Sequence, residues 1–118
     1  MATVHSVIAE ARKLRTNPFD DLQLANWLWD YERKITVEVF EEADPGDYDD
    51  DTVGDTTLHI IGTYAKVYLD YLISQIDYYL QEYDSYNNSV VVFNKTEADF
   101  LAAYIRANQP TAIYFKNV

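Results

Sequence analysis

The sequence predicts an all-α fold, a small antiparallel helical bundle ending in a long tyrosine-rich helix or helix pair. Three observations carry that expectation. The first is Thr63 to Gln109, forty-seven residues with neither glycine nor proline. Apolar or aromatic residues recur there at steps of three and four: Tyr68, Leu72, Ile76, Tyr79, Tyr83, Tyr86, Val90, Phe93, then Phe100 and Tyr104, with Glu97 interrupting the series. An α-helix stacks such positions on one face. The second is a shorter stripe of the same period, Leu24, Leu28, Tyr31, Ile35 and Val39. The third is that turn chemistry stands between the stripes, at Asn17-Pro18 and Asp44-Pro45-Gly46.

In chain order, Thr3 can cap a first helix whose inward face is Val7, Ile8, Ala11 and Leu14. Arg12, Lys13 and Arg15 fall near its end, where cations suit the helix dipole. Asn17 then reads as the N-cap of a second helix, with Pro18 at its first position and Asp20 and Asp21 in its first turn. Trp27 lies beside the stripe of that helix. Its tail, Ile35 to Val39, also alternates like a strand, but the unbroken stripe favours helix.

Residues 43–56 form an acidic loop by composition, and Thr57 to Ile61 is a short β-prone piece, extended or one edge of a small hairpin. Thr63 caps the long helical region in this reading. Fully helical, that region is about 70 Å long at roughly 1.5 Å per residue, longer than a domain of this size is wide. It therefore folds back once or reaches a partner. The weak point is Tyr86-Asn87-Asn88-Ser89, because Asn and Ser prefer caps and turns. A break there leaves helices near 64–86 and 89–108; the stripe keeps phase across it, so a continuous helix stays open. Past Pro110, residues 110–118 form an extended, β-prone C-terminal arm around Ile113, Tyr114 and Phe115.

At 118 residues the chain reads as a single domain over 1–118 with a modest core. No apolar run approaches the roughly 20 residues of a membrane span, and the first residues lack a signal-peptide core, so the product reads as soluble and cytosolic. The absence of cysteine excludes disulfides, thiolate zinc sites and a cysteine nucleophile. Asn87-Asn88-Ser89 and Asn94-Lys95-Thr96 match the glycosylation pattern but carry no weight without a secretion signal.

The net charge of −11 is unevenly spread. Glu41, Glu42, Asp44, Asp47, Asp49, Asp50, Asp51 and Asp55 stand together with no basic residue among them, and the rest of the chain nets only −3. Without a basic patch, sequence-specific nucleic-acid binding is not expected. The aspartate run invites a calcium reading, but an EF-hand loop started at Asp47 has Thr52 where glycine belongs and Leu58 where the bidentate glutamate belongs. A solvated, self-repelling loop is the expectation, with no metal and no cofactor. His5 lies near the N-terminus and His59 in an apolar run, and no nucleophile, phosphate-loop or metalloprotease motif occurs. The chain reads as a non-enzyme.

Seven tyrosines lie between Tyr64 and Tyr86 and cover more than one helix face. Tyrosine suits a surface that a partner buries, since it offers apolar area and a hydroxyl. Tyr71 and Tyr78, off the stripe and seven residues apart, are the candidate partner-binding pair, joined by Ile113, Tyr114 and Phe115 of the arm.

The pattern Tyr71-x4-Ile76-Asp77, then Glu82-x3-Tyr86-Asn87-Asn88-Ser89 and Phe93-Asn94, resembles the head–tail connector (head completion or adaptor) proteins of tailed phages and prophages. Ile8 through Leu14, Asn17-x2-Asp20-Asp21, Trp27-Leu28 and Asp51-Thr52-x-Gly54-Asp55-Thr56 fit the same picture, over most of residues 4–110. The resemblance implies a mostly helical protomer in a ring, commonly twelve-fold, in the virion neck. It implies a portal protein above, a stopper or tail completion protein below, and assembly in the host bacterial cytoplasm. Asp47, Asp49, Asp50, Asp51 and Asp55 then become a candidate channel loop that repels DNA phosphate and lets DNA pass. A solvent-exposed turn accounts for Glu97. The rival reading is an acidic DNA mimic or other small inhibitor module, which needs carboxylates spaced along rigid elements rather than gathered in one loop.

Overall fold

A computed structural model describes residues 2–108, and the arm with Ile113, Tyr114 and Phe115 lies outside them. The described chain is all-α: α1 (Val4–Leu14), α2 (Asp21–Glu38), α3 (Asp50–Val53), a 3₁₀ turn (Gly62–Ala65), α4 (Lys66–Tyr79) and α5 (Tyr83–Asn108). No strand occurs among the described residues, and no helix there is long and apolar enough to cross a membrane.

Helix α1 starts where Thr3 predicts. The Thr3 hydroxyl accepts from the Ser6 amide and the Ser6 hydroxyl accepts from the Thr3 amide, a reciprocal capping box. Val7, Ile8 and Ala11 are buried with Val4, whereas Leu14 is exposed because the helix ends there and the chain turns away. Helix α2 begins later than Asn17-Pro18 implies. Asp20 is its N-cap, accepting from the Gln23 amide at 2.8 Å. Asn17 instead bridges the turn, accepting from the Phe19 amide and donating to the Arg15 carbonyl, an aspartate-type turn that needs no helix. Arg12 fastens the two ends, reaching Asp21 and the Phe19 carbonyl. The helix runs unbroken through Ile35 to Glu38, so the helical reading of its tail holds.

Leu24, Leu28, Leu72 and Ile76 are fully buried in the cluster where α1, α2 and α4 meet. Each contributes about 1.5–3 kcal/mol relative to exposure. Leu58 and Ile60 enter the same cluster from the 57–61 segment, which forms no hairpin; its Leu58 amide donates to the Ala2 carbonyl instead. Thr63 lies inside the 3₁₀ turn and caps nothing: α4 follows Ala65 with no side-chain cap.

The long region folds back once, as a helix pair, but not at Asn87-Asn88-Ser89. The break is Leu80 to Glu82, and α5 runs straight through both asparagines. The Gln81 amide donates to the Tyr78 carbonyl and the Glu82 amide to the Asp77 carbonyl, with Gln81 at φ +61°. This is a Schellman ending with glutamine where glycine is usual. Asn87 and Asn88 face solvent, and Ser89 is held by the Asp77 carboxylate, so weak helix propensity of a few tenths of a kcal/mol is overridden by tertiary contact. Because glutamine in a left-handed conformation costs about 1 kcal/mol, Gln81→Gly is expected to stabilise the protein by about that amount, read as a higher urea midpoint. An unchanged or lower midpoint would show that the turn is not strained.

Candidate functional site

Three features stand out above the packing: the acidic segment and the groups that hold it, two buried carboxylates, and an aromatic end to the bundle.

The acidic segment is not the free, self-repelling loop its composition suggests. Its cations come from elsewhere in the chain. Arg33 of α2 pairs with Asp44 through two nitrogens at 2.9 Å and with Asp47 at 3.3 Å. The Arg33 contact, then the Gly46 amide, holds the Asp44 carboxyl down at about 2. Trp29 donates its indole N–H to the Gly46 carbonyl and meets the Tyr48 ring edge-on. Residues 50–53 then make one turn of helix, capped by Asp49, where composition predicts only loop. His5 of α1 sits over this turn, with Nε2 2.7 Å from Asp50 and Nδ1 2.8 Å from Asp55. The hydrogen bonds it makes to Asp50 and then to Asp55 raise its pKa above 6.5. Gly54 lies beneath the ring, where a Cβ would stand 2.5 Å from the imidazole. Asp47, Asp49, Asp51 and Asp55 remain exposed. Among the described residues no group of three or more His, Asp or Glu side chains is arranged to hold a metal ion.

The first buried carboxylate is Glu32 on α2, 2 % exposed. Tyr68 donates to its Oε1 at 2.7 Å; the His59 amide and Nδ1 reach its Oε2 at 2.9 and 2.8 Å. The Tyr68 oxygen in turn accepts from the Ile60 amide. On its other side His59 meets Glu42 through Nε2 at 2.8 Å. Burial pulls the His59 pKa down, but the hydrogen bonds to Glu32 and Glu42 outweigh it and leave it raised. Burial, then the charge of Glu32, pushes the Tyr68 hydroxyl far up. The second buried carboxylate is Asp77 on α4, 1 % exposed. It takes Arg15 at 2.8 and 3.1 Å and the Ser89 hydroxyl at 2.9 Å, so α1, α4 and α5 meet on one charge. Every fully enclosed side-chain nitrogen and oxygen among the described residues has a hydrogen-bond partner.

The aromatic end lies where α2, α4 and α5 converge. Trp27 stacks on Tyr79 at 4.5 Å with Phe19 edge-on, and Tyr78 meets both Tyr79 and Tyr86. Tyr78, Tyr79 and Tyr83 are 49, 51 and 58 % exposed. Tyr71 does not join them. Its ring stacks on Tyr31 at 4.7 Å and meets Phe93 at 5.5 Å, inside its own bundle, and burial, then Asp30, pushes its hydroxyl up to about 12. Tyr71 and Tyr78 are thus set in different surroundings: Tyr71 packs between Tyr31 and Phe93, whereas Tyr78, though it touches Tyr86 of α5, stays half exposed. Glu97 is no solvent-exposed turn either: it accepts from the Tyr31 hydroxyl at 2.7 Å. Between the end of α1, α4 and α5 lies an open groove of about 370 Å³, lined by Leu14, Arg15, Leu69, Ile73 and Val92.

The roles of His5, Trp29, Glu32 and Asp77 were invisible to sequence spacing. Their partners lie between 12 and 62 residues away. Comparison with protein-family models, curated proteins and solved structures returned no match.

Proposed function

We propose that this chain is a structural head–tail connector (adaptor or head completion protein) of a tailed phage or prophage, forming a ring between portal and stopper or tail completion proteins. The observation that carries this reading is the exposed aromatic end. Half-exposed Tyr78 and Tyr83 and the stacked Trp27–Tyr79 pair form a surface with the chemistry of an interface. A ring also needs two unlike faces on each subunit, because its contacts are head-to-tail. The aromatic end is one, and the groove lined by Leu14, Leu69, Ile73 and Val92 is a concave second. The arm with Ile113, Tyr114 and Phe115 supplies a further contact by strand addition. Exposed Asp47, Asp49 and Asp51 give a DNA channel a wall that repels phosphate. The ring works in the virion neck and is built in the bacterial cytoplasm.

The DNA-mimic rival loses ground because Asp44, Asp50 and Asp55 are already engaged by Arg33 and His5. The test replaces Tyr78 and Tyr83 by serine. Stability changes by no more than about 0.5 kcal/mol per exposed site, while co-sedimentation with portal protein is lost. Co-sedimentation equal to that of the unaltered chain overturns the reading.

A further inference from the structure

The two histidines of the chain occupy the same kind of place at the two ends of the acidic segment. Each has both ring nitrogens against carboxylate oxygens: His5 against Asp50 and Asp55, His59 against Glu32 and Glu42, all at 2.7–2.8 Å. An ionised carboxylate only accepts hydrogen bonds, and a neutral imidazole has a single N–H. Both nitrogens can donate only in the imidazolium. The geometry therefore describes two histidine cations, each bridging two acids.

We propose that the two histidines are proton-operated clasps on the acidic segment: while charged, His59 ties its start at Glu42 to Glu32 of α2 and His5 ties Asp50 and Asp55 to α1, and residues 48–56 detach when His5 loses its proton. Deprotonation turns one ring lone pair toward a carboxylate under 3 Å away, so attraction becomes repulsion on that side. The groups facing His5 are Asp50 and Asp55 on the segment, Tyr48 through its bond to Asp50, and Arg12 and Asp21 around the same hollow. Those facing His59 are Glu32, Glu42, the Thr36 hydroxyl and the Phe40 ring, with Tyr68 sharing Glu32. Without the His5 charge, the α3 turn keeps Asp49, Asp50, Asp51 and Asp55 with no cation of its own. Four residues cannot sustain a helix alone.

The hold at Arg33–Asp44 does not titrate in this range, because guanidinium stays charged. Arg33 reaches Asp47 as well, so residues 44–47, with Gly46 at φ +85°, are the fixed hinge and residues 48–56 the moving part. Both histidine pKa values are raised, so the clasps are complete below 6.5 and open as pH climbs through the higher folded values. With no cysteine in the chain, histidines are the side chains that ordinarily titrate between about pH 6 and about pH 9.

The test follows amide hydrogen-exchange protection factors in the full chain across that range. Thr52, Val53 and Gly54, whose amides bond to Asp49 and Asp50 carbonyls, are expected to lose protection several-fold as pH rises. Leu72 and Ile76 in α4 keep theirs. In a Trp27→Phe background, Trp29 emission shifts to the red over the same range as Tyr48 of the moving part leaves its ring. His5→Gln is expected to leave α3 unprotected at both ends of the range, and His5→Lys to keep it protected throughout. Constant α3 protection in the unaltered chain overturns the proposal. So does a parallel loss in α4, which marks global unfolding, or a pH response in His5→Gln equal to that of the unaltered chain.

Discussion

Glu32→Ala is expected to cost about 3–5 kcal/mol of folding stability, the loss typical of removing one partner from a buried charge pair. The carboxylate collects three donors at once, from Tyr68, the His59 amide and the His59 ring. Alanine leaves the buried Tyr68 hydroxyl without its acceptor and His59 with Glu42 and the more distant Thr36 hydroxyl. Each stranded buried group costs about 1–3 kcal/mol. Tyr68→Phe removes one donor and leaves the Ile60 amide unpaired, so about 1–3 kcal/mol is expected there. Because Glu32 and Tyr68 share one network, the double mutant loses less than the two single losses added. Urea unfolding of the four proteins checks this. A Glu32→Ala loss below about 1 kcal/mol would mean that water replaces the missing carboxylate freely.

Asp77→Ala comes next, at about 2–3 kcal/mol, below the range of about 3–5 kcal/mol for a broken buried pair. The discount comes from Arg15, whose side chain is 39 % exposed and can return its charge to water. Ser89 cannot do the same, since it is buried and loses its Asp77 contact. Ser89→Ala alone is expected to cost about 1 kcal/mol, the net worth of one hydrogen bond. The larger effect of Asp77→Ala also has a place: α1 loses its tie to α4 at Arg15, so exchange protection falls first in the last turn of α1. Uniform loss across α1, α2 and α4 would contradict a local pin.

Helix type, the core faces of α1 and α2, the Thr3 cap and the helical tail of α2 were legible because each is a property of a few neighbouring residues. Periodicity tells which face is apolar, and burial follows. The position of the reversal was not legible. Gln81 carries no glycine signature, while Asn87-Asn88-Ser89 carries a strong turn signature that Asp77 overrides from another helix. The tyrosine band misled for the same reason. One stripe along a single long helix becomes two half-stripes once the chain doubles back, so Tyr79 and Tyr83 point outward at the bend while Tyr71 goes inward.

By itself, then, the sequence determined an all-α chain of amphipathic helices and an excess of acid gathered in one segment, since residue type and period suffice for both. Only the tertiary structure decided what that acid does. Arg33, His5 and His59 reach Asp44, Asp50, Asp55 and Glu42 from 11 to 50 residues away. Charge pairing acts over a few ångströms of space and is indifferent to distance along the chain. The fold brings these cations to the segment, and with them comes the difference between a solvated loop and a docked one.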